Sequence, residues 1–232
     1  MLRFIITDID GTLTDEQRHI SIAAIERIRA LEKEGVHVIL ASGNTSCLLK
    51  GLCKLIGTNG GFIGENGGVY RIGYGTNLQI LSDRTVSLAA LNRVTEYAQK
   101  NNYILDLYSM QERFSDVAFA RNMPVDEIRN LVADLPVEVV DTTFAIHIHG
   151  KGVHKGNTFI RFIAEMNASP DDFLAIGDSE NDIELIQMAG TGACVANATP
   201  EVREAADYCS AKRYGDGFCD IIEQYFPHLS IR

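Results

Sequence analysis

The sequence predicts an α/β fold, a parallel sheet covered by helices, with a small α+β module inserted into it. Three observations predict it. Apolar runs and amphipathic stretches alternate at both ends of the chain. The runs are apolar on both faces, as strands buried between helices are. The middle of the chain breaks this alternation with closely spaced strand patterns.

Residues 2–8 form the first apolar run and read as a strand, released into Asp8-Ile9-Asp10-Gly11-Thr12-Leu13-Thr14. Ser21 then caps a helix whose apolar positions Ile22, Ile25, Ile28 and Leu31 recur at helical spacing until Gly35 stops it. Residues 36–41 are a second β-branched run ending at Ser42-Gly43-Asn44, and residues 45–56 are again helical in pattern. Gly64-Glu65-Asn66-Gly67-Gly68, flanked by Phe62-Ile63 and Val69-Tyr70, signals a hairpin, because Asn-Gly supplies the positive φ of a type I′ turn. From 83 to 150 the pattern is helix (85–100), strand (103–108), strand (116–121), helix (125–135), strand (137–140) and strand (143–149). This αββαββ order predicts an antiparallel sheet with two helices. The α/β alternation then resumes with a helix (155–166), a strand (172–176) and a helix (180–189) closed by Gly190. The larger unit is therefore 1–82 with 151–232, and the inserted one 83–150.

The chain has 232 residues, enough for one core and a smaller appendage, and 46% hydrophobic with 22% charged residues is an ordinary globular composition. With 21 basic and 31 acidic residues the net charge is -10. That leaves no long basic patch to displace the counterions of a nucleic acid, so none is expected as a partner. An acidic protein that handles an anion must supply positive charge locally, by a metal or a placed Lys or Arg. The five cysteines lack CxxC spacing, and their odd number argues for reduced, cytoplasmic thiols rather than a disulfide framework. The first apolar stretch is too short for a signal-peptide core, and no run of about 20 apolar residues suggests a membrane span.

Two carboxylates two residues apart at the end of a buried strand cost too much desolvation to serve stability alone. In extended backbone, residues i and i+2 project to one side, so Asp8 and Asp10 face one pocket while Ile9 turns into the core. The predicted parallel strands end at Asp8, Ser42 and Asp178, and ligands of open α/β sheets bind beyond such ends. Gly177-Asp178-Ser179-Glu180-Asn181-Asp182 brings a further carboxylate to the start of a helix. Asp8, Asp10, Asp178 and Asp182 form an all-oxygen set suited to Mg²⁺. Lys155, in Gly152-Val153-His154-Lys155-Gly156-Asn157-Thr158, opens a helix and puts an amine beside free backbone N–H groups, a combination suited to phosphate. It is not a P-loop, because Gly156 stands where Ser or Thr is required.

Each feature also has a plainer reading. Alone, Asp-x-Asp-Gly is a turn or a surface calcium loop, Ser42 a helix cap, Lys155 a solvated cation, and Asp182 a charge on its own helix start. His147 and His149 share one strand face near His154. No cysteine or further histidine supports a zinc site there, so a polar strand face is the preferred reading. Glu65 and Asn66 read as hairpin residues, and Arg113 and Arg121 as candidate clamps for a substrate carboxylate.

Asp8-x-Asp10-Gly-Thr, Ser42 closing the second strand, Lys155, and Gly-Asp178-Ser-x-Asn-Asp182, in that order, resemble the four motifs of the haloacid dehalogenase superfamily. The inserted module is similar to the cap of its type II, Cof-like branch. The compact size, Ala41-Ser42-Gly43-Asn44 and Gly64-Glu65-Asn66-Gly67-Gly68 resemble the archaeal-type phosphoglycolate phosphatases of that branch. The resemblance implies a Rossmann-like core with an inserted α+β cap domain, and a phosphatase acting on a small phosphorylated metabolite. Asp8 is then the nucleophile and Asp10 the general acid and base, while Ser42, Gly43 and Lys155 bind the phosphoryl group. The Mg²⁺ ligands are the Asp8 carboxylate, the Asp10 carbonyl and Asp178, with Asp182 direct or through water. The substrate implied is 2-phosphoglycolate, with a sugar or sugar-acid phosphate as the alternative. A phosphoacceptor switch without turnover is the rival class; receiver domains carry their acceptor on a middle strand and have no cap. A monomer or homodimer is expected.

Overall fold

The structure, a computed structural model, describes residues 2–142 and 144–229. In chain order, β1 (Phe4–Thr7) leads through α1 (Ile22–Lys33) to β2 (His37–Ala41) and through α2 (Ser46–Ile56) to β3 (Phe62–Gly64). The chain then turns back as β4 (Val69–Arg71) and β5 (Gln79–Ile80). A second unit follows, made of α3 (Arg84–Lys100), β6 (Asp116–Phe119), α4 (Val125–Leu131), β7 (Val137–Asp141) and β8 (Ile146–Gly150). The return comprises α5 (Lys155–Glu165), β9 (Phe173–Gly177), α6 (Ile183–Met188), β10 (Thr191–Cys194), α7 (Pro200–Ala205), β11 (Tyr208–Cys209) and α8 (Tyr214–Tyr225).

The larger sheet has the order β11-β10-β9-β1-β2-β3-β4-β5, parallel as far as β3 and antiparallel at β4 and β5. Successive strands run outward from β1 on one side through β2, and the returning chain runs outward from β9 on the other. The crevice beyond β1 and β9 is therefore a topological switch point, where open α/β sheets place their ligands. Both sheet faces are apolar, as expected of strands covered twice. Ile5, Val38, Leu40 and Ile176 pack with Ile28, Leu31, Phe218 and Ile222 on one face. Ile6, Ile39 and Ala175 pack with Phe159 and Phe162 on the other. Caps define the helix starts: Ser21 Oγ accepts from Ala24 N and Thr45 Oγ1 from Leu48 N.

The smaller sheet, β6-β8-β7, is antiparallel. Strand alternation splits its residues cleanly. Val117, Phe119, Ile146 and Ile148 join Ala90, Leu91, Val94 and Ile128 in a separate apolar core under α3 and α4. Asp116, His147 and His149 occupy the opposite face and are buried. The chain enters and leaves this unit at adjacent points, since a Cβ on Gly150 would lie 2.6 Å from Ser82 Oγ.

The α/β class and the inserted antiparallel unit hold, but four local expectations do not. Residues 103–108 form no strand. Leu107 makes one isolated bridge to Phe119, and the chain leaves the sheet at Ser109, whose φ is 50°. Tyr103 and Leu105 pack against the core of this unit while Ile104 stays exposed, so side-chain packing holds the run without a continuous strand ladder. The unit therefore has three strands, not four, among the described residues. The strand expected from 143 begins at Ile146, and Thr143 itself lies outside the described residues. The helix expected over 180–189 starts as a tighter 3₁₀ turn, Glu180–Asp182. In the hairpin, Asn66 and Gly67 do have positive φ (54° and 107°) and Gly68 N donates to Glu65 O at 3.0 Å, but Glu65 also turns over, at φ 51°. That extra rotation takes its side chain out of the ladder.

Candidate active site

Parallel pairing sets the site. Thr7 is in register with Ile176, so the chain leaves the sheet at Asp8 and at Asp178 side by side. Lys155, the first residue of α5, comes in beneath them and is fully buried. Its Nζ donates to Asp8 Oδ1 and to Asp182 Oδ1, each at 2.7 Å. Asp182 Oδ2 accepts from the backbone N–H groups of Asp178 and Ser179 at 3.2 and 3.3 Å. Asp178 is held by Thr12 Oγ1, which donates to its Oδ1 at 3.1 Å, and by Asn197 Nδ2 at 3.4 Å from its Oδ2. Gly11 makes this approach feasible: its φ is 92°, and a Cβ there would lie 2.3 Å from Asp178 Oδ2.

Burial pushes the Asp8 carboxyl well above the usual carboxylate range; Lys155 pulls it back, while Asp182, Asp178 and Asp10 push it further up. Asp178 is pushed up to about 7, first by burial and then by Asp182. Burial would lower the Lys155 ammonium, but Asp182 and Asp8 outweigh it and hold that group above the usual lysine range. One ammonium thus faces several carboxylates that resist ionising together. Oxygen atoms of Asp8, Asp178 and Asp182 lie within 4.8 Å of one another. A crowded all-oxygen set of this kind fits a hard divalent cation such as Mg²⁺. Asp182 has both oxygens engaged by Lys155 and backbone N–H groups, which makes it the anchor of that lysine and of the Asp178 loop.

Asp10 stands at the mouth rather than in this cluster. Its Oδ2 accepts from Asn44 Nδ2 at 2.7 Å, and the same Nδ2 lies 2.9 Å from Ser42 Oγ. Ser42 is buried, and with Gly43 it lines a cleft of about 690 Å³ that also contains Asp8, Asp10 and His147. The smaller sheet closes the far side of this cleft. Arg113 Nη1 donates to Asp116 Oδ1 and Oδ2 at 2.7 and 2.9 Å and to Gly43 O at 3.2 Å. His147 Nδ1 lies 2.9 Å from Asp116 Oδ2. Burial alone would raise the Asp116 carboxyl, but His147 and Arg113 hold it below its usual range. Burial lowers His147 against the pull of Asp116. The fold thus brings Asp8, Asp178, Asp182 and Lys155 together and places Asp10, Ser42 and Gly43 at the opening above them.

Several residues of the site were missed in the sequence. Asn44 and Thr12 orient the two flanking carboxylates, yet both look like ordinary turn residues. Glu65 is fully buried and accepts from Phe114 N, Ser115 N and Ser115 Oγ, tying the larger unit to the smaller one, so it is more than a hairpin residue. Asn66 is buried too; its Oδ1 accepts from Asn181 Nδ2 at 2.9 Å, and its Nδ2 has no hydrogen-bond partner among the described residues. His147 and His149 do share the polar face of their strand, and that face is buried, while His154 caps α5. Arg121 pairs with Asp141 at 2.8 Å and does not line the cleft. All five cysteines are free thiols. Among the described residues, no helix is long and apolar enough to cross a membrane.

The sequence matches the haloacid dehalogenase-like hydrolase family over residues 5–131 and 125–222. It is 58% identical to a phosphoglycolate phosphatase of Methanospirillum hungatei over 232 residues, covering 100% of both chains. It is 48% identical to a phosphoglycolate phosphatase of Methanoculleus marisnigri, again over 100% of both. A crystal structure from Thermoplasma acidophilum superposes with a TM-score of 0.88 at 27% identity, covering 99% of this chain and 100% of that one.

Proposed function

We propose that this chain, which belongs to the haloacid dehalogenase-like hydrolase family and is a phosphoric monoester hydrolase, cleaves 2-phosphoglycolate to glycolate and phosphate with Mg²⁺ bound. The observation that carries the chemistry is the pairing of Asp8 with Lys155 at 2.7 Å beside Asp178. Full-length likeness to phosphoglycolate phosphatases supports the substrate.

Asp8 attacks phosphorus and the ester oxygen leaves, taking a proton from Asp10, so an aspartyl-phosphate forms. Asp10 then removes a proton from water, which attacks that phosphorus and frees both Asp8 and phosphate; such acid–base help contributes about 10²- to 10⁴-fold. The Asn44 contact positions Asp10 for both steps. Lys155 favours the ionised, nucleophilic form of Asp8 against burial and the neighbouring carboxylates, and Ser42, Gly43 and Lys155 bind the phosphoryl oxygens. Asp8, Asp178 and the Asp10 carbonyl would hold Mg²⁺, with Asp182 direct or through water; the ion would supply charge neutralisation at the phosphoryl oxygens. Residues 83–150 act as a cap over a core of 1–82 and 151–232. Free thiols support a reducing, cytoplasmic setting.

A sugar or sugar-acid phosphate is the second reading, favoured by a cleft of about 690 Å³, which is roomy for a two-carbon ester. Comparing kcat/KM across phosphoglycolate, hexose phosphates and phosphoglycerates separates them. A preference of at least tenfold for phosphoglycolate, about 1.4 kcal/mol in transition-state binding, is expected. Chelation should stop phosphate release and Mg²⁺ restore it, while release of many phosphates per enzyme removes a phosphoacceptor switch.

A further inference from the structure

We propose that Arg18 selects substrates with a second anionic group, binding a carboxylate at the end of the leaving group. This rests on the phosphatase reading above and adds to it the residue that reads the tail.

A phosphomonoester with a carboxylate tail brings negative charge to two places. Lys155 lies at the phosphoryl end, so the tail needs its own cation. Among the described residues, two arginines line the cleft, Arg18 and Arg113. Arg113 is already committed: Asp116 takes Nη1, and the carbonyls of Tyr108 and Gly43 accept from Nε and Nη1. Arg18 makes no ion pair among the described residues, and its guanidinium carbon sits 4.7 Å from the centre of the Phe144 ring. A cation held over an aromatic ring is attracted by the ring's quadrupole and gives none of its N–H groups to an acceptor there, so the donors that pair with a carboxylate stay unspent.

The backbone beneath Arg18 is built rather than loose. Thr14 and Ile20 form an antiparallel bridge, and Asp15 Oδ1 accepts from Gln17 N and His19 N, each at 2.9 Å. Arg18 N donates to Asp15 O at 3.0 Å, and its φ of 63° marks it as the tip of that turn. The turn follows directly from Asp8 and Asp10, so the reader of the tail and the proposed nucleophile share one short segment. Phe144 belongs to the smaller unit, and its contact with Arg18 spans the mouth between the two units.

The test compares 2-phosphoglycolate with its neutral amide, phosphoglycolamide, in the native enzyme, Arg18→Gln and Arg18→Lys, all with Mg²⁺. The native enzyme is expected to prefer the acid at least tenfold in kcat/KM. Arg18→Gln should lower that acid-to-amide ratio tenfold or more, with the loss carried by KM, and Arg18→Lys should recover part of it. A native preference that Arg18→Gln leaves unchanged overturns the role of Arg18 and spares the substrate reading. Equal native kcat/KM on the two compounds overturns the phosphoglycolate reading, and the role of Arg18 with it.

Discussion

Two buried charge clusters face each other across the cleft, and they are balanced differently. In the larger unit, Asp8, Asp178 and Asp182 crowd around a single Lys155, and the first two have raised pKa values. In the smaller unit, Asp116 is matched by Arg113, lies 2.9 Å from His147 Nδ1, and is held below its usual range. Asp8, Asp182 and Lys155 are buried much as Asp116, Arg113 and His147 are, so desolvation does not separate the clusters; the count of opposite charges does. A cluster with surplus carboxylates is completed by a cation from solution, whereas a self-matched cluster holds its own sheet face in place.

The largest expected effect breaks the first cluster chemically. Asp8→Asn should fold normally by circular dichroism yet lose at least about 10³-fold in kcat, as removal of a nucleophile does. Near-native turnover, with deamidation excluded by mass spectrometry, would remove the covalent mechanism. Next is stability. Asp116→Ala leaves Arg113 buried without a counter-charge and should cost about 3–5 kcal/mol in urea unfolding, with no recovery on adding Mg²⁺. Metal-free native protein, by contrast, should gain stability from Mg²⁺; equal responses of the two clusters would erase the distinction.

The pH dependence sharpens the comparison further. His147 titrates below its ordinary 6.5 when folded, so the unfolded chain takes up its proton first. Its contribution is lost as pH falls below about 6.5, by no more than about 1.4 kcal/mol per pH unit. Asp178 has the opposite sign. Its folded value of about 7 lies above the ordinary 3.8, so metal-free protein loses stability as pH rises between those values. Urea titrations at several pH values, with His147→Gln and Asp178→Asn, should resolve the two slopes. The smallest effect is expected at the link between the units: Glu65→Gln weakens three hydrogen bonds without emptying the site, and should cost about 1–2 kcal/mol.

Legibility followed the range of the forces involved. Asp8 and Asp178 were readable because each follows an apolar run, and parallel strands aligned in register deliver their ends to one edge. Lys155 was readable only through the order of motifs, since nothing local distinguishes a buried lysine from a solvated one. Residues 103–108 misled because their apolar pattern is real but finds only one bridge partner. Glu65 and Asn66 passed for turn residues because their partners, Ser115 and Asn181, lie far along the chain. Arg18 carries no sequence signal; its meaning comes from Phe144, more than a hundred residues away.

By itself the sequence determined the α/β alternation, the helix cap at Ser21, and the acidic residues that end the strands. Those follow from local backbone preference and from the side-chain periods of helix and strand. Only the tertiary structure decided that Lys155 sits between Asp8 and Asp182, that Asp116 is matched and Asp178 is not, and that Arg18 meets Phe144 at the mouth. Each of these depends on distances between side chains remote in sequence, and the energy of a buried charge is set by those distances rather than by its neighbours along the chain.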